Sequence, residues 1–334
     1  MVNFGLLAAG RIGAIHAANT ARHSVARLIS VYDTNAAAAE AIARNTGAQV
    51  APSVESVLQD KEVDAVLIAS PTGTHVDLIT AAALAGKSIF CEKPIDLDIQ
   101  RVMDCKKAIA GSGVAVQIGF NRRYDRSHRD VRNAVHAGDI GALELLMITS
   151  RDSAPAPLAY LEVSGGLFRD MTIHDFDMAR FILGADPIVE LYATGSVLIE
   201  PALERFGDVD TAMVVMRAAS GALVHINNSR RTVYGYDQRN EAFGAKGMVS
   251  SDNVRASTLV RYGATGTDSK DPLLDFFLER YAQAYFDELD DFIDVVTERR
   301  KPQVDFEDGR LALVLADAAA QSLRSGRAVR VNYG

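Results

Sequence analysis

The first 120 residues alternate between short apolar runs and segments with helical spacing, and this alternation restricts the possible folds more than any other feature. The apolar runs predict buried strands near residues 2–8, 25–32, 64–69, 88–91 and 114–119. The segments between them predict helices near residues 12–22, 36–45, 54–60, 75–85 and 98–110. Because strands that alternate with helices are joined by right-handed crossovers, this part of the chain is predicted to be an α/β domain with a doubly wound parallel sheet.

The pattern changes after residue 120, where strand-like runs follow one another between residues 187 and 262 with short turns such as Ser220-Gly221. Consecutive strands joined by short turns favour antiparallel pairing. We therefore predict a first domain at 1–120 and a second, α+β domain at 121–334 with an open, mostly antiparallel sheet. The uncovered face of such a sheet commonly serves as an oligomer interface.

The composition argues against several classes of function. With 35 basic and 43 acidic residues among 334, the net charge of −8 disfavours a protein that coats nucleic acid or an anionic membrane. No apolar stretch of about 18 residues is free of charges, so we expect no membrane span. The amino-terminal segment lacks the basic start of a signal peptide, and the two cysteines suit a reducing compartment. These features favour a cytoplasmic two-domain enzyme.

The turn after the first predicted strand, Ala8-Ala9-Gly10-Arg11-Ile12-Gly13, matches the dinucleotide-binding pattern G-x-G-x-x-G except at its first position. Gly10 would let the backbone approach a pyrophosphate, and Gly13 would let the helix pack closely on the strand. Alanine weakens the match at position 8 but is tolerable there if that residue keeps a negative φ. A glycine-rich turn chosen only for packing is the alternative.

Asp33 ends the second predicted strand, 20 residues after Gly13. In dinucleotide-binding folds an acidic residue at this distance accepts hydrogen bonds from the adenosine ribose hydroxyls of NAD. A 2′-phosphate would face the Asp33 carboxylate, and the following Thr34-Asn35 offers no cation. The sequence therefore predicts NAD rather than NADP, with a helix N-cap as the alternative role for Asp33.

Two further turns follow predicted strands at the carboxyl edge of the sheet, where ligands bind in such folds. The first is Ser70-Pro71-Thr72-Gly73-Thr74-His75, in which His75 either contacts the cofactor or has a structural role. The second is Cys91-Glu92-Lys93-Pro94. Lys93 could place an ammonium beside a nicotinamide with Glu92 as its counter-charge, and an ordinary surface lysine is the alternative.

Asp170 and His174 are four residues apart, which would place them one turn apart on the same helix face. A carboxylate beside an imidazole raises its basicity and fixes its orientation, so the pair is a candidate general base with its orienting partner. The alternatives are a solvated acidic helix and a zinc site. No third ligand stands at a suitable spacing, and we expect no metal.

Taken together, these stretches resemble the glucose–fructose oxidoreductase / inositol dehydrogenase family over essentially the whole chain. The motifs that carry the resemblance are Gly10-Arg11-Ile12-Gly13, Ser70-Pro71-Thr72 with His75, Cys91-Glu92-Lys93-Pro94, and Asp170 with His174. Three longer stretches resemble the inositol enzymes of that family, namely Gly119–Asp125, Ser164–Asp170 and Asn227–Gln238. The resemblance implies a Rossmann domain, an open-sheet second domain and a homotetramer assembled through that sheet.

The resemblance also implies a role for each matching position. The family's catalytic residues correspond to Lys93, Asp170 and His174. Its substrate pocket corresponds to these three and to Asn121, Arg122, Tyr234 and Tyr236, for which packing or interface roles are the alternative. Its cofactor site corresponds to Ala8, Gly10, Arg11, Ile12, Gly13, Asp33, Ser70, Pro71, Thr72, His75, Glu92 and Lys93.

The expected reaction is NAD-dependent oxidation of a cyclic polyol, with myo-inositol giving the 2-ketone. Asn121 departs from the family's pattern beside the substrate pocket, which leaves another inositol isomer, a pyranose or an anhydrosugar as alternative substrates. A third reading is a non-catalytic NAD-sensing protein, which would be expected to lack the lysine or the histidine. Lys93 and His174 are both present.

Overall fold

The computed structural model describes residues 1–334, which divide into two compact units. The first unit comprises 1–124 together with 283–313, and the second comprises 125–282 together with 314–334. The chain thus returns to the first unit after completing most of the second, in contrast to the single division after residue 120 that the sequence predicts.

The first unit has a six-stranded parallel sheet with the order β3-β2-β1-β4-β5-β6. Its elements are β1 (Val2–Leu7), α1 (Arg11–Arg22), β2 (Ala26–Tyr32), α2 (Ala36–Thr46), β3 (Gln49–Val50), α3 (Val54–Gln59), β4 (Ala65–Ile68), α4 (His75–Leu84), β5 (Ser88–Glu92), α5 (Ile99–Ile109) and β6 (Val116–Gly119). This order confirms the predicted doubly wound sheet. Strand β3 has only two residues, too few for an apolar run to predict it.

The second unit has a seven-stranded sheet with the order β12-β11-β7-β10-β9-β8-β15. All its neighbouring strands pair antiparallel except β7 and β10, so the mostly antiparallel sheet is confirmed. Its strands are β7 (Leu143–Arg151), β8 (Ile188–Ser196), β9 (Thr211–Ala218), β10 (Leu223–Ser229), β11 (Asp237–Gly244), β12 (Gly247–Ser251) and β15 (Val329–Arg330). A separate hairpin is formed by β13 (Val260–Gly263) and β14 (Gly266–Lys270).

The remaining helices are α6 (Arg126–Ala137), α7 (Leu158–Leu161), α8 (Leu167–Asp170), α9 (Thr172–Leu183), α10 (Phe277–Arg280), α11 (Ala282–Glu298) and α12 (Phe306–Ser325). Helix α11 packs Leu289 and Phe292 into the core of the first unit, beside Phe4 and Phe90. In the second unit α9 and the end of α12 pack on one face of the sheet. None of the helices is both long enough and apolar enough to cross a membrane.

The opposite face of the second sheet is open. Side chains alternate along its strands, so that in β9 Met213 and Val215 are exposed while Val214 and Met216 are buried. The strand register brings exposed apolar side chains from four strands together on this face: Leu145, Met147, Met213, Val215, Leu223 and Phe243. We call these six residues the open face.

Candidate active site

The predicted dinucleotide turn joins β1 to α1, as its pattern requires. A Cβ atom at Gly13 would lie 2.1 Å from the carbonyl oxygen of Ala8, so only glycine fits at this position. Gly10 is the N-cap of α1, and nothing lies within 4 Å of the place where its Cβ would be. The turn therefore has the close packing and the open approach that a pyrophosphate at a helix N-terminus needs.

The condition of a negative φ at Ala8 is not met, since the structure has φ +84° there. The turn keeps the left-handed conformation that glycine adopts in the standard pattern, although an alanine occupies the position. A left-handed conformation costs an alanine about 1–2 kcal/mol. In this conformation the Ala8 carbonyl oxygen lies against Gly13, which has no Cβ atom to collide with it.

Asp33 follows β2 and is joined to this turn by hydrogen bonds. Its Oδ2 accepts from the backbone N–H of Ala9 at 2.6 Å, and its Oδ1 accepts from that of Asn35, also at 2.6 Å. The N-cap of α2 is Asn35, whose side chain accepts a hydrogen bond from the Ala38 N–H. Asp33 is therefore not the helix cap that the sequence left as its alternative role. The Asp33 carboxylate lies half-buried beside the dinucleotide turn at Ala8–Gly13, which we call the fingerprint turn.

His75 connects the two other predicted turns. Its Nδ1 lies 2.8 Å from the carbonyl oxygen of Pro94 and its Nε2 lies 2.8 Å from that of Ser70. The ring is 1% exposed. Burial lowers the pKa of His75, while the two carbonyl contacts and the charges of Glu92 and Asp96 act in the opposite direction. His75 thus fixes the turn that includes Pro71 and Thr72 against the turn that carries Lys93, and a direct cofactor contact stays a prediction.

Lys93 follows β5 at the carboxyl edge of the first sheet and is half-buried. The peptide bond from Lys93 to Pro94 is cis. The preceding Glu92 is buried, and its carboxylate lies 2.8 Å from Nε2 of His16 on α1. The contact of Glu92 with His16 and the contact of Pro94 with His75 attach the backbone on both sides of Lys93 to the body of the first unit.

Asn121 and Arg122 lie in a single 3₁₀ turn directly after β6 and are both buried, at 2% and 6% exposure. They therefore share the carboxyl edge of the sheet with Lys93, because β5 and β6 are parallel neighbours. The Nδ2 donor of Asn121 has no acceptor in the protein.

The spacing predicts that Asp170 and His174 lie on one helix, but the structure places them on two. Asp170 is the last residue of α8, Met171 is a turn residue, and α9 begins at Thr172. The first turn of α9 is held to β10 through Asn228, which accepts from Thr172 Oγ1 and donates to Asp175 Oδ2, both at 2.7 Å. His174 lies in this first turn and is half-buried. The hydrogen bonds to Asn228 therefore fix the part of α9 that carries it.

The Asp170 carboxylate receives two hydrogen bonds that the spacing of the sequence does not predict. Tyr160 Oη donates to its Oδ1 at 2.7 Å, and Arg230 Nη1 donates to its Oδ2 at 3.0 Å. Burial and the neighbouring Asp170 charge raise the pKa of Tyr160 well above its usual range, so its hydroxyl keeps the proton that it donates. Arg230 directly follows β10 and is only 1% exposed. Arg230 lies in the stretch Asn227–Gln238 that resembles the inositol enzymes, but nothing in its spacing indicates a contact with Asp170.

Tyr234 and Tyr236 lie in the loop before β11 but differ in their surroundings. Tyr234 is 44% exposed, and its hydroxyl accepts from Arg151 and donates to Asp237, both at 2.9 Å. Burial raises the pKa of Asp237, but hydrogen bonds from Arg239, Asn253 and Tyr234 outweigh this effect and hold it below its ordinary value. Tyr236 is buried, and its ring meets that of Tyr281 edge-on with 6.0 Å between the ring centroids.

No group of three or more His, Cys, Asp or Glu side chains is placed to hold a metal ion. The sequence-predicted residues fall into two groups. The first unit brings together the fingerprint turn, Asp33, the Ser70–His75 turn, Lys93, Asn121 and Arg122 at the carboxyl ends of its strands. The second unit holds Asp170 and His174 at the meeting of α8 and α9, and Tyr234 and Tyr236 before β11.

Comparison with known proteins identifies relatives of both units. Residues 2–120 match the model of an oxidoreductase family with an NAD-binding Rossmann fold, and residues 128–250 match that of the GFO/IDH/MocA C-terminal domain. A myo-inositol 2-dehydrogenase of Thermotoga maritima is 45% identical over 331 residues, which cover 99% of this chain and 98% of the relative.

Solved structures give the same result. A myo-inositol dehydrogenase from Corynebacterium glutamicum superposes with a TM-score of 0.95 at 44% identity, and 99% of each chain is covered. A scyllo-inositol dehydrogenase from Lactobacillus casei, solved with bound NAD(H) and scyllo-inositol, superposes with a TM-score of 0.91 at 29% identity, again over 99% of both chains.

Proposed function

This chain belongs to the GFO/IDH/MocA oxidoreductase family, and from that premise we propose that it oxidises myo-inositol at its 2-hydroxyl to the ketone, with NAD as hydride acceptor. The observation that carries the proposal is the similarity to a named myo-inositol 2-dehydrogenase over 99% of the chain. The chain retains Lys93, Asp170 and His174, the three positions that match the catalytic residues of the family.

The residues of the first unit fit NAD. Gly13 and Gly10 give the packing and the open approach that the pyrophosphate needs, and the N-terminus of α1 offers its unpaired N–H groups. The Asp33 carboxylate beside this turn would accept hydrogen bonds from the adenosine ribose hydroxyls and would repel a 2′-phosphate. When bound, NAD supplies the chemistry of hydride acceptance.

In the proposed mechanism Lys93 donates a hydrogen bond to the oxygen of the reacting hydroxyl. Its ammonium charge stabilises the negative charge that develops on this oxygen as the hydride leaves the carbon. The contacts of Glu92 with His16, and of His75 with Pro94, hold the backbone on both sides of Lys93 in place for this task.

His174 takes the hydroxyl proton as general base, and Asp170 orients the imidazole and stabilises its protonated form. A base of this kind contributes roughly 10²–10⁴-fold to the rate. The attachment of α9 to β10 through Asn228 supports the role, because a base has to be held within hydrogen-bond reach of its proton.

Asn121, Arg122, Tyr234 and Tyr236 are proposed to contact the hydroxyl groups of the substrate. Their polar groups suit a ring that carries a hydroxyl on every carbon. A relative with bound scyllo-inositol makes that isomer the second candidate substrate, and other pyranoses or anhydrosugars follow, since only these pocket residues would need to differ.

We further propose a cytoplasmic homotetramer that assembles through the open face and has no nucleic-acid partner. The six apolar residues of this face are 41–55% exposed, which is typical of a surface that another protein covers. Cys91 and Cys105 are buried free thiols, in keeping with a reducing compartment. Sedimentation equilibrium of the wild type and of a Met213→Lys variant tests the assembly.

The reaction is tested by initial rates of nicotinamide reduction with NAD or NADP and a panel of myo-inositol, scyllo-inositol, chiro-inositol, glucose and a 1,6-anhydrosugar. The proposal predicts the highest kcat/KM with myo-inositol and NAD. A higher value with a pyranose or an anhydrosugar would replace the substrate but keep the reaction class. No turnover with any of these polyols would overturn the proposed function.

A further inference from the structure

Arg230 is a buried cation that forms an ion pair with the Asp170 carboxylate. Its side chain is 2% exposed, that of Asp170 is 12% exposed, and Nη1 lies 3.0 Å from Oδ2. The two other guanidinium nitrogens, Nε and Nη2, are buried and have no acceptor in the protein. Burying a guanidinium is costly unless a partner offsets its desolvation, so a fold that needed only packing here would gain from an apolar side chain.

The Arg230 backbone is fixed as well. It directly follows β10, and its N–H donates to the carbonyl oxygen of Asp210 at 2.9 Å. Asp210 is held in turn, because its carboxylate accepts from the backbone N–H groups of Leu198, Ile199 and Glu200. The guanidinium is thus delivered to Asp170 from a rigid strand end, independently of α8 and α9.

Tyr160 holds the other carboxylate oxygen from a third element, the short helix α7, at 2.7 Å. A carboxylate fixed at both oxygens by donors from two separate elements has one orientation. A neighbouring guanidinium also favours its ionised form. Both properties are what an orienting carboxylate beside a catalytic imidazole requires.

Resting on the proposed function, we propose that Arg230 and Tyr160 are positioning residues that act through Asp170, fixing the carboxylate that orients His174. Neither residue needs to touch the substrate or the cofactor for this role. Their loss should lower kcat while leaving NAD binding unchanged, because the fingerprint turn and Asp33 lie in the other unit.

The test is a double-mutant cycle on kcat with myo-inositol and NAD, using Arg230→Gln, Asp170→Asn and the combined variant. We expect Arg230→Gln alone to lower kcat roughly 10- to 100-fold, since misplacing a catalytic group by about 1 Å can cost on the order of 100-fold. In the Asp170→Asn background the same change should cost less than about 3-fold, because residues that act as a unit are not additive. Arg230→Lys, which keeps the charge, should recover part of the activity.

Arg231→Gln is the matched control, since this neighbouring arginine is exposed and should leave kcat unchanged. Thermal unfolding and the Kd for NAD identify variants that fail to fold. If Arg230→Gln fails, the cycle is repeated with Tyr160→Phe, which removes one hydroxyl from a half-exposed ring.

Additive losses in the cycle, or an Arg230→Gln variant as active as Arg231→Gln, would overturn this inference while the proposed function stands. A wild-type protein without polyol-dependent NAD reduction would overturn the proposed function and this inference with it.

Discussion

The Asp33 carboxylate accepts a 2.6 Å hydrogen bond from the backbone N–H of Ala9, which joins the end of β2 to the turn between β1 and α1. A single side chain thereby shapes the fingerprint turn and sets the charge that the adenosine ribose would meet. This double role means that changes at Asp33 should affect both the affinity for NAD and the choice between NAD and NADP.

We expect Asp33→Asn to lower kcat/KM for NAD roughly 10- to 100-fold, because hydrogen bonds to a charged group are worth about 1.5–3 kcal/mol. The value for NADP should change less or rise, since the repulsion of the 2′-phosphate disappears. The measurement is kcat/KM with each cofactor at saturating myo-inositol. A wild type that uses NADP as well as NAD would contradict the role assigned to Asp33.

Two glycines of the fingerprint turn should respond differently to the same substitution. Gly13→Ala would push a methyl group to 2.1 Å from the Ala8 carbonyl oxygen, so we expect a lower thermal unfolding midpoint. Gly10→Ala meets no atom within 4 Å and should keep the midpoint of the wild type, yet weaken NAD binding because the methyl group lies in the path of the pyrophosphate. Equal midpoints for both variants would show that the turn rearranges.

Lys93→Ala should lower kcat by roughly 10²–10⁴-fold with a much smaller effect on the Kd for NAD, because the ammonium is proposed to act on the reacting oxygen. Lys61→Ala, at an exposed lysine of the same unit, is the control and should behave as the wild type. A change confined to the Kd for NAD would make Lys93 a cofactor anchor.

His174→Ala should cost a large part of kcat and remove the acid limb of the pH profile, since a general base has to be unprotonated to accept the hydroxyl proton. Asp170→Asn should do less damage and shift this limb to lower pH, because a neutral amide no longer stabilises the imidazolium. The measurement is kcat/KM for myo-inositol from about pH 5.5 to 10. An acid limb that persists in His174→Ala would assign the role of base to another group.

Much of the first unit could be predicted because strand, turn and helix follow one another locally. The fingerprint glycines, Asp33 and Lys93 all stand directly after predicted strands, and parallel strands bring their carboxyl ends to one edge. The conformation of Ala8 could not be predicted. An alanine normally avoids φ +84°, and the packing of the Ala8 carbonyl against Gly13 is seen only in the folded chain.

Contacts between residues far apart in the chain could not be predicted from the sequence. Helix α11 has an apolar face, but periodicity does not indicate which core Leu289 and Phe292 join, and they join that of the first unit. The same holds for Arg230 and Tyr160, which lie 60 and 10 residues from Asp170 and meet it only in the folded chain. Because arginines are rarely buried, spacing alone favours a surface position for Arg230.

The central claim is that hydride passes from C2 of myo-inositol to NAD, and a deuterium label at C2 tests it most directly. Purified protein is incubated with NAD and myo-inositol deuterated at C2, and the reduced cofactor is analysed by mass spectrometry, with unlabelled inositol and the Lys93→Ala protein as controls. We expect reduced cofactor that carries one deuterium, formed at a rate that falls strongly in Lys93→Ala. Reduced cofactor without deuterium, or none formed at all, would contradict it.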